Sequence, residues 1–583
     1  MFERVLVANR GEIAVRITRT LRKMGITSIA VFSEADNGLP HVAMADVAVP
    51  IGEPQAYLNP ELLISVGKRH AVTAVHPGYG FLSENAEFAR ACASAGITFI
   101  GPPPEAISVM GDKINAKRTV AAYGVPVVPG RVEPGLDDNQ LAEAAREVGF
   151  PVLLKPSAGG GGKGMRLVEF EEDLATAIES ARREASHSFG DSTLLVERFL
   201  SHPRHIEMQV FADTHGTCVA LGDRECSLQR RHQKVIEEAP SPLLLHGVRP
   251  AMAESAIAAA RACGYVGAGT VEFIVSADRP NEYFFMEMNT RLQVEHPVTE
   301  AVTGLDLVEW QVRVASGEAL PWKSQQDVPA PNGHAIEARI YAEDPSRGFL
   351  PSAGPILLLR EPRETEHIRV DSGISPGVEV GTLYDPMLSK VIAWGRDRGS
   401  ALRHLDQALA STTVLGLSTK LGFLRRLLAD QDVIDGHIHT GLVEERLPQL
   451  APKGTPDRVL VAVALLSTLD LRPKCAAPNA GPWALRDGWR VGDRAPLKSQ
   501  WSTEGDRIEI EVLGPTVTVN GRSYSRCRAG HTGDGSIAVE IDGDRHVYQW
   551  VRRGPEVWMG EAGDAWRMIQ ETRSLIRASS AGP

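Results

Sequence analysis

The N-terminal region alternates short β-branched runs with helical spacing, and this alternation constrains the fold more than any other feature. Residues 5–8, 29–32, 71–75 and 97–100 have the composition of buried strands, and residues 12–24 have the apolar spacing of an amphipathic helix. Strands that alternate with helices form parallel sheets covered by their crossover helices. The sequence therefore predicts an α/β chain that begins with a doubly wound, Rossmann-like domain.

The first strand-to-helix turn, Asn9-Arg10-Gly11-Glu12, contains a single glycine. A dinucleotide-binding turn uses the spaced glycines of G-x-G-x-x-G to let the backbone approach the pyrophosphate. This domain need not bind a dinucleotide.

A chain of 583 residues is too long for one hydrophobic core, so several domains are expected. Most of the unusual polar groups lie within residues 110–325, and a further α/β unit lies at 331–447. The prolines and glycine of 447–456 predict a linker, and residues 457–471 have helical spacing.

The last hundred or so residues differ in character from the rest of the chain. Residues 507–513 and 516–519 alternate apolar and polar side chains, and Asn520-Gly521, directly after the second run, is a hairpin turn signal. Another run at 537–541 ends at Asp542-Gly543. This pattern predicts a separate, mainly β module.

The composition of the chain indicates its cellular compartment and the classes of partner that it can bind. The net charge of −11 disfavours non-specific binding to nucleic acid. The longest aliphatic stretch, residues 459–466, is far shorter than the roughly 20 residues that cross a bilayer. The six cysteines are scattered, with no C-x-x-C pair, which favours reduced thiols over a disulfide framework or a zinc site. We expect a cytoplasmic protein with neither nucleic-acid nor membrane partners.

A glycine-rich loop separates two predicted strands. Residues 152–155 form an apolar run that ends in Lys155, residues 156–164 contain four adjacent glycines, and residues 165–170 have a strand pattern again. A dinucleotide loop should open a helix, and a P-loop requires Ser or Thr after its lysine, where this chain has Gly164. Free backbone N–H groups beside lysines favour a flexible flap over a nucleotide. The alternative is a mobile hairpin without a ligand.

Acidic side chains interrupt two apolar runs. Glu272 lies within residues 269–275, and Glu287 and Asn289 lie within 284–289. Side chains two residues apart share one face of a strand, so Glu287 and Asn289 should point the same way. Buried acids are costly unless paired or bound to a cation, and hard oxygen ligands suit Mg²⁺. The alternative is a solvated strand face.

The same strand is predicted to continue to Pro297, because proline disfavours a helical conformation at His296. If it is extended, one face carries the side chains of Arg291, Gln293 and Glu295. Arg291 offers a planar guanidinium for a small anion, Gln293 offers a neutral hydrogen bond, and Glu295 offers a general base. Upstream, residues 230–234 are rich in basic side chains, and an exposed basic patch is the simpler interpretation there.

These stretches resemble biotin carboxylase, an ATP-grasp enzyme, over residues 1 to about 447. The resemblance is carried by eight stretches in the order of that family: 7–14 (VANRGEIA), 76–85 (HPGYGFLSEN), 110–113 (MGDK), 159–164 (GGGGKG), 230–235 (RRHQKV), 287–297 (EMNTRLQVEHP), 337–344 (EARIYAED) and 384–387 (YDPM). Residues 481–583 resemble, more weakly, the interaction domain of acyl-CoA carboxylase α subunits.

The resemblance implies a role for each matching residue. The implied ATP contacts are Lys113, Lys155, Gly160, Gly161, Gly162, Lys163, Gly164, Glu197, Leu200, His205, Gln229 and His232. The implied ligands of Mg²⁺ or Mn²⁺ are Glu272, Glu287 and Asn289. The implied catalytic residues are Glu295, Arg339, Lys234 and Arg291, with bicarbonate and biotin held by Arg291, Gln293, Val294, Lys234 and Tyr79.

The implied fold is an α/β biotin carboxylase followed by a mainly β domain. Its expected divisions are a Rossmann-like domain (1–113), an ATP-grasp domain (114–325, with a lid at about 130–203), a C-terminal α/β domain (331–447), a linker and helix (448–480) and an interaction domain (481–583). The family often has Thr-Asn where this chain has Thr419-Lys420, so local contacts are expected to differ there.

The implied reaction is ATP-dependent carboxylation of biotin with bicarbonate, through carboxyphosphate. The biotin would arrive on a carrier domain, whose Ala-Met-Lys-Met motif does not occur in this sequence. We expect that carrier to be a separate chain or to have been truncated, and a carboxyltransferase β subunit to complete a hetero-oligomer. The alternatives are part of a pyruvate or urea carboxylase, or a non-catalytic ATP-binding assembly subunit. The acyl-CoA is not encoded here, although methylcrotonyl-CoA is slightly favoured over propionyl- and acetyl-CoA.

Overall fold

The computed structural model describes residues 1–131, 135–157, 164–244, 247–452, 454–471, 494–503 and 505–571. The N-terminal unit contains β1 (Arg4–Val7), α1 (Gly11–Lys23), β2 (Thr27–Ser33), α2 (Pro40–Met44), β3 (Val47–Gly52), α3 (Pro60–Arg69), β4 (Ala74–His76), α4 (Ala86–Ser94), β5 (Thr98–Phe99) and α5 (Pro104–Gly111). Its strands form a five-stranded parallel sheet of order β3-β2-β1-β4-β5, which confirms the doubly wound prediction.

Two strands of this sheet differ from the sequence prediction. Strand β3 was not predicted, because its alternating burial and its Pro50 weaken the β-branched signal. Strand β4 begins at Ala74 rather than at residue 71, because Ala71 has a left-handed backbone with φ of 52° that ends the turn after α3. The β1–α1 turn is unaffected by either difference.

The central region forms a small lid sheet and most of a large antiparallel sheet. Its elements are α6 (Lys113–Ala122), β6 (Gly130–Arg131), α7 (Asp138–Val148), β7 (Val152–Pro156), β8 (Arg166–Val168), α8 (Leu174–Phe189), β9 (Leu194–Arg198), β10 (Pro203–Ala212), β11 (Cys218–Arg230), β12 (Gln233–Ala239), α9 (Val248–Ala262), β13 (Gly267–Ser276), β14 (Arg279–Asn289), α10 (His296–Thr303) and α11 (Leu307–Ala315). The lid sheet has the order β6-β9-β7-β8, so a strand does come after the glycine-rich loop.

The next region extends the large sheet. Its elements are β15 (His334–Tyr341), β16 (Glu343–Asp344), β17 (Leu350–Pro351), β18 (Gly354–Pro355), β19 (Leu358–Arg360), β20 (Ile368–Ser372), β21 (Glu379–Val380), β22 (Met387–Gly395), α12 (Arg398–Ser411), β23 (Thr413–Leu415), α13 (Leu421–Leu428), α14 (Gln431–Asp435) and α15 (Leu442–Leu450). Strand β12 pairs with β15, which produces one eight-stranded sheet of order β14-β13-β10-β11-β12-β15-β22-β20. The central and C-terminal α/β regions therefore share one continuous sheet.

The C-terminal module is a nine-stranded antiparallel sheet around one helix. It contains α16 (Asp457–Asp470), β24 (Leu497–Thr503), β25 (Asp506–Leu513), β26 (Thr516–Val519), β27 (Arg522–Tyr524), β28 (Arg528–His531), β29 (Ile537–Ile541), β30 (Asp544–Arg553), β31 (Glu556–Glu561) and β32 (Asp564–Glu571). The strand order is β27-β26-β25-β24-β32-β31-β30-β29-β28. The predicted strands and the Asn520-Gly521 turn are present, with φ of 45° and 85° at the turn.

Helix α16 belongs to the core of this module, whereas the sequence pattern had grouped it with the linker. Its residues 459–466 are all buried in one cluster with side chains of the sheet, among them Trp501 and Ile510. The preceding helix α15 also differs from the prediction, since it runs to Leu450 with Pro448 inside it. Leu450 is buried in the neighbouring core, and this packing keeps the helix going past the proline.

The predicted strand continuation through residue 295 is wrong. Strand β14 ends at Asn289, residues 290–295 form an irregular loop, and α10 begins at His296 with Pro297 in its first turn. The first N–H groups of a helix have no intrahelical partner, so a proline there costs no hydrogen bond. The loop, hereafter the 290–295 loop, carries Arg291, Gln293 and Glu295.

Among the described residues, every helix falls short of the length and apolar content that a membrane span requires.

Candidate active site

A cleft of about 1080 Å³ lies where the N-terminal unit, the lid sheet and the large sheet meet. The predicted site residues that line it are Tyr79, Lys113, Lys155, Leu200, His205, Gln229, His232, Lys234, Glu272, Glu287, Asn289, Arg291, Gln293, Val294 and Arg339. Glu197 and Glu295 lie behind its wall, bonded to lining side chains. Gly160, Gly161, Gly162 and Lys163 lie outside the described residues. Gly164 comes after them with φ of 79°, a conformation that favours glycine.

Glu295 is fully buried between two cations. Its carboxylate accepts hydrogen bonds from Lys234 Nζ at 2.5 Å and from Arg339 Nη2 at 2.9 Å. Burial alone would raise the pKa of this carboxyl, but Lys234 and Arg339 hold the pKa well below its usual range. Glu295 is therefore a carboxylate at neutral pH in a water-poor pocket.

Lys234, on β12, joins three carboxylates. Its Nζ donates to Glu207 at 2.7 Å, to Glu272 at 3.1 Å and to Glu295 at 2.5 Å. Burial opposes the charged amine, but these neighbours raise the pKa of Lys234 well above its ordinary value. A permanent ammonium at this point can attract an anion such as phosphate or bicarbonate.

Glu207 and its partner Arg224 were not predicted from the sequence. Both are fully buried, and Arg224 Nε donates to the Glu207 carboxylate. Arg224 also donates from Nη1 to Gln209 at 2.7 Å and to Thr299 at 2.9 Å. Glu207 carried a weaker signal than Glu272, because strand 203–212 also contains Arg204, His205 and Gln209 and therefore resembles a half-buried strand.

Glu272 and Glu287 are cross-strand partners on β13 and β14. Asn289 Nδ2 donates to Glu272 Oε1 at 2.8 Å, and His205 Nε2 lies 2.9 Å from Glu272 Oε2. Burial and then the charge of Glu272 raise the pKa of Glu287 above its ordinary value. Two carboxylates that repel each other beside an amide oxygen form a donor set that fits a hard divalent cation.

The 290–295 loop is held by the Arg291 guanidinium. Arg291 Nε donates to Glu84 at 2.7 Å, Nη1 donates to Gln293 at 3.0 Å and Nη2 donates to Asn289 at 3.0 Å. Gln293 Nε2 in turn donates to Glu272 at 3.0 Å. The predicted anion-binding residues therefore converge on the carboxylate pair even though they do not share a strand face.

On the lid side, Glu197 pairs with two lysines. Lys155 Nζ donates to Glu197 Oε2 at 2.5 Å, and Lys117 Nζ donates to Oε1. Lys117 lines the cleft and was missed, although its position four residues after Lys113 places both lysines on one face of α6. The lysines that line this end of the cleft suit a polyphosphate.

Lys420, the departure from the family pattern, is almost completely buried at 1% exposure. Its Nζ lies 4.0 Å from the centre of the Tyr341 ring and 3.8 Å from Glu343 Oε2. Burial lowers the pKa of Lys420 to about 8. Lys420 does not line the cleft, which agrees with its having no assigned catalytic role.

Lys420→Met should stabilise the protein at pH 7. A drop from the ordinary pKa of 10.5 to about 8 means that the buried charge destabilises the fold, by about 3 kcal/mol at roughly 1.4 kcal/mol per pKa unit. This penalty is complete below the folded-state pKa and disappears above the unfolded-state pKa, so the gain should shrink between pH 8 and pH 10.5. Urea denaturation of both proteins at pH 7 and pH 10 measures the difference.

Lys390→Met is the matched control for that measurement. Burial opposes the charge of Lys390 as well, but Glu12 and Glu337 raise the pKa of Lys390 above its ordinary value, so its removal should destabilise the protein. Equal stability of Lys420→Met and the unmodified protein at pH 7 would contradict the assignment of Lys420 as a destabilising charge.

Comparison with family models matches four regions of the chain. Residues 1–107 match "Biotin carboxylase, N-terminal domain", 112–323 match "Carbamoyl-phosphate synthase L chain, ATP binding domain", and 337–445 match "Biotin carboxylase C-terminal domain". Residues 456–573 match "Methylcrotonyl-CoA carboxylase, alpha-subunit, BT domain". The last match includes helix α16 with the sheet that surrounds it.

Known relatives match along most of this chain. The mitochondrial methylcrotonoyl-CoA carboxylase subunit alpha of Mus musculus is 51% identical over 543 residues, which cover 92% of this chain and 74% of that protein. The mitochondrial propionyl-CoA carboxylase alpha chain of Sus scrofa is 42% identical over 550 residues, 93% of this chain and 72% of that one. Across the methylcrotonoyl-CoA relatives the chain spans from 60% to 74% of their length.

A solved structure agrees with the fold of the first three matched regions. The biotin carboxylase domain of the Hydrogenobacter thermophilus 2-oxoglutarate carboxylase, in complex with MgADP, ADP and bicarbonate, is 43% identical with a TM-score of 0.73. The alignment covers 78% of this chain and 100% of that domain.

Proposed function

Because the chain belongs to the family of biotin carboxylase-containing α subunits of acyl-CoA carboxylases, we propose that it carboxylates carrier-bound biotin with bicarbonate and ATP. The observation that carries this proposal is the buried Glu295 carboxylate between Lys234 and Arg339, beside the Glu272–Glu287 pair. A base, an anion-binding ammonium and a cation-binding carboxylate pair in one cleft are what this reaction requires.

Glu295 is proposed as the base that takes the proton of bicarbonate. In the absence of substrate, Lys234 and Arg339 keep the pKa of Glu295 low, which would make it a weak base. A bound bicarbonate and the ATP phosphates bring negative charge to the same cations, and that charge raises the proton affinity of the carboxylate. Arg291 and Gln293 would orient the anion for attack on the γ-phosphorus.

The phosphoryl transfer forms a bond from a bicarbonate oxygen to the γ-phosphorus and breaks the bond to the ADP oxygen, giving carboxyphosphate and ADP. Lys113, Lys155 and Lys234 would stabilise the charge on the phosphoryl oxygens. A divalent cation, Mg²⁺ or Mn²⁺, held by Glu272, Glu287 and Asn289 would neutralise part of the phosphate charge when bound.

Breakdown of carboxyphosphate gives CO₂ and phosphate, and the phosphate removes the proton from biotin N1. The Arg339 guanidinium lines the cleft and would stabilise the enolate oxygen of the biotin ring while N1 captures CO₂. Tyr79, which also lines the cleft, is proposed to lie beside the biotin ring.

The C-terminal module is the part of the chain that suggests which protein is the partner and which acyl-CoA is the final substrate. We propose that the module over residues 456–571 docks on a carboxyltransferase β subunit, and that the acyl group of the complete enzyme is methylcrotonyl. The match of this region to a methylcrotonyl-CoA carboxylase model supports both proposals over a pyruvate or urea carboxylase.

The five described cysteines are free, which supports a reducing compartment, for which we propose the cytoplasm.

The test is ADP release from the purified chain with Mg²⁺, bicarbonate and free biotin. We expect turnover that requires ATP and bicarbonate and that rises with biotin, while omission of bicarbonate should abolish it. ATP binding without bicarbonate-dependent turnover would contradict the proposal and favour a non-catalytic assembly subunit.

A further inference from the structure

Lys390, near the middle of β22, contacts three separate parts of the structure beside the cleft. It is completely buried, and its Nζ donates to the Val294 carbonyl oxygen at 2.6 Å. The same atom lies 3.5 Å from Glu12 Oε1 on α1 and 3.9 Å from Asp371 Oδ2 on β20. One ammonium thus ties the 290–295 loop to the N-terminal unit.

Glu12 extends this connection to the cleft surface. Its Oε1 atom accepts a hydrogen bond from the Tyr79 hydroxyl, and Glu12 itself is only 4% exposed. The contacts Tyr79–Glu12–Lys390–Val294, hereafter the Lys390 bridge, run from the N-terminal wall of the cleft to the loop that carries Arg291 and Glu295.

The acids around Lys390 keep its ammonium charged, although burial raises the pKa of Glu12 itself to about 7. Glu12, Glu337 and Asp371 surround it, and burial, which opposes the charge, is outweighed because these acids raise the pKa of Lys390 above its ordinary value. Asp371 also pairs with Arg369 Nη2 at 2.6 Å. A charge-assisted hydrogen bond to a carbonyl in a buried setting is stronger than a neutral one.

The 290–295 loop is held mainly by side chains rather than by its own backbone hydrogen bonds, and Lys390 acts beside the Arg291 guanidinium and the His296 ring, whose Nδ1 lies 2.7 Å from Gln293 O. The backbone hydrogen bonds at its C-terminal end are long, from His296 N to Gln293 O at 3.4 Å and from Val298 N to Glu295 O at 3.3 Å. A shift of the Val294 carbonyl would move Gln293 and Glu295, its neighbours in sequence, away from the carboxylate pair.

We propose that Lys390 is a positioning residue that sets the affinity for bicarbonate by holding the 290–295 loop against the N-terminal wall through Glu12 and Tyr79. This proposal rests on the proposed function, since it assigns bicarbonate to that loop. According to this proposal, the position of the anion-binding side chains depends on Tyr79, which lies outside the loop.

The test measures the KM for bicarbonate and the KM for ATP in Lys390→Met and Tyr79→Phe. Methionine keeps the length of the lysine stem without its charge, and phenylalanine removes only the hydroxyl that donates to Glu12. We expect the bicarbonate KM to rise about tenfold in Lys390→Met, the scale seen when groups that orient a ligand-binding side chain are lost. A smaller rise, about threefold, is expected in Tyr79→Phe, the scale of one weakened neutral hydrogen bond. The ATP KM should change by less than about twofold in both, since the lysines on the lid side are untouched.

A double variant separates the bridge from two independent effects. If Tyr79 acts on the loop through the Lys390 bridge, the double variant should have the same bicarbonate KM as Lys390→Met alone. The connection between Tyr79 and the loop is already broken in Lys390→Met. Lys420→Met is the matched control: it removes another buried lysine, one that packs against Tyr341 and Glu343 rather than the 290–295 loop, and its bicarbonate KM should be unchanged.

The outcomes are distinct from a failure of the proposed function, which the unmodified enzyme reveals by lacking bicarbonate-dependent ADP release. An unchanged bicarbonate KM in folded Lys390→Met overturns the inference, and so does an equal rise in bicarbonate and ATP KM. If Lys390→Met does not fold, Tyr79→Phe decides: a selective rise in bicarbonate KM supports the bridge and an unchanged value overturns it.

Discussion

Glu295→Gln should lower bicarbonate-dependent turnover by roughly 10²–10⁴-fold, the usual contribution of a positioned general base. Glutamine keeps the size of the side chain and can still accept a hydrogen bond from Lys234 or Arg339, but it cannot take the proton of bicarbonate. ATP should still bind, because the lid-side lysines and the Glu272–Glu287 pair are unchanged. Steady-state ADP release and nucleotide titration of the same preparation measure the two properties.

The structure also provides a matched control for this substitution. Glu238 is a buried glutamate of β12 that pairs with Arg398 at 2.7 Å and does not line the cleft. Glu238→Gln therefore removes a buried, paired carboxylate of the same sheet, and it should leave the turnover of the folded enzyme within a few-fold of normal. Near-normal turnover in Glu295→Gln would remove Glu295 from the mechanism. A comparable loss in both variants would mean that any change of buried charge in this sheet abolishes turnover.

The sequence predicted those site residues whose chemistry conflicts with their local pattern. Glu272 and Glu287 interrupt apolar strands, and their spacing correctly placed Glu287 and Asn289 on one face. The same reasoning failed for residues 290–295, because it treated Pro297 as evidence against a helix. Proline is also favoured in the first turn of a helix, and local sequence alone did not distinguish the two cases.

The pairing of distant charges could not be predicted from the sequence. Glu12, Lys390 and Val294 are far apart along the chain, and nothing near any of them in sequence indicates the contact. Arg224 is similar: its position within β11 shows only a polar residue in a strand, whereas its burial against Glu207 depends on the register of β10 and β11. Charge networks of this kind are set by the assembled sheet, so they need the structure.

The packing of helix α16 was predictable in principle from its composition. Residues 459–466 are apolar on every side, and a helix without a polar face must be surrounded by protein. The strand pattern of the residues after it was recognised, but the helix was grouped with the linker that precedes it. The structure places it inside the nine-stranded sheet.

This packing determines where the chain can be divided. Removal of residues 481–583 would delete the sheet and leave α16 exposed, with eight buried apolar positions at 459–466 losing their partners. The six valine and leucine side chains among them contribute about 1.5–3 kcal/mol each when buried, so that truncated protein should aggregate. A cut after Pro452 removes the helix and the sheet together and lies beyond Leu450, the last buried residue of α15.

The chain of residues 1–452 should carboxylate free biotin at a rate within a few-fold of the full chain and should lose stable association with the carboxyltransferase subunit. Every residue assigned to catalysis lies before residue 340, and the described part of the C-terminal module contributes none to the cleft. The cut does remove contacts with the α/β region, including Arg426 Nη1 to Asp564 at 3.0 Å and Arg425 Nη1 to the Ala562 carbonyl at 2.7 Å. These polar contacts are partly exposed and contribute little, about 0–1 kcal/mol each. The cut also uncovers Leu415 of β23, which packs on Gly560 of β31. The main core of the α/β region contains no side chain of the module, so the remaining domains should stay folded.

The measurements are biotin-dependent ADP release and co-elution with the partner subunit on size exclusion, with Arg426→Ala in the full chain as the control. That variant breaks the Asp564 contact without removing the module. The bonds that it loses, to Asp564 and to the Leu450 carbonyl, both lie within the chain, so it should keep both properties. Co-elution of residues 1–452 with the partner would place docking in the α/β region and contradict the role proposed for the module. A folded truncated protein without free-biotin activity, beside an active Arg426→Ala, would mean that the module supports the cleft through contacts other than this ion pair.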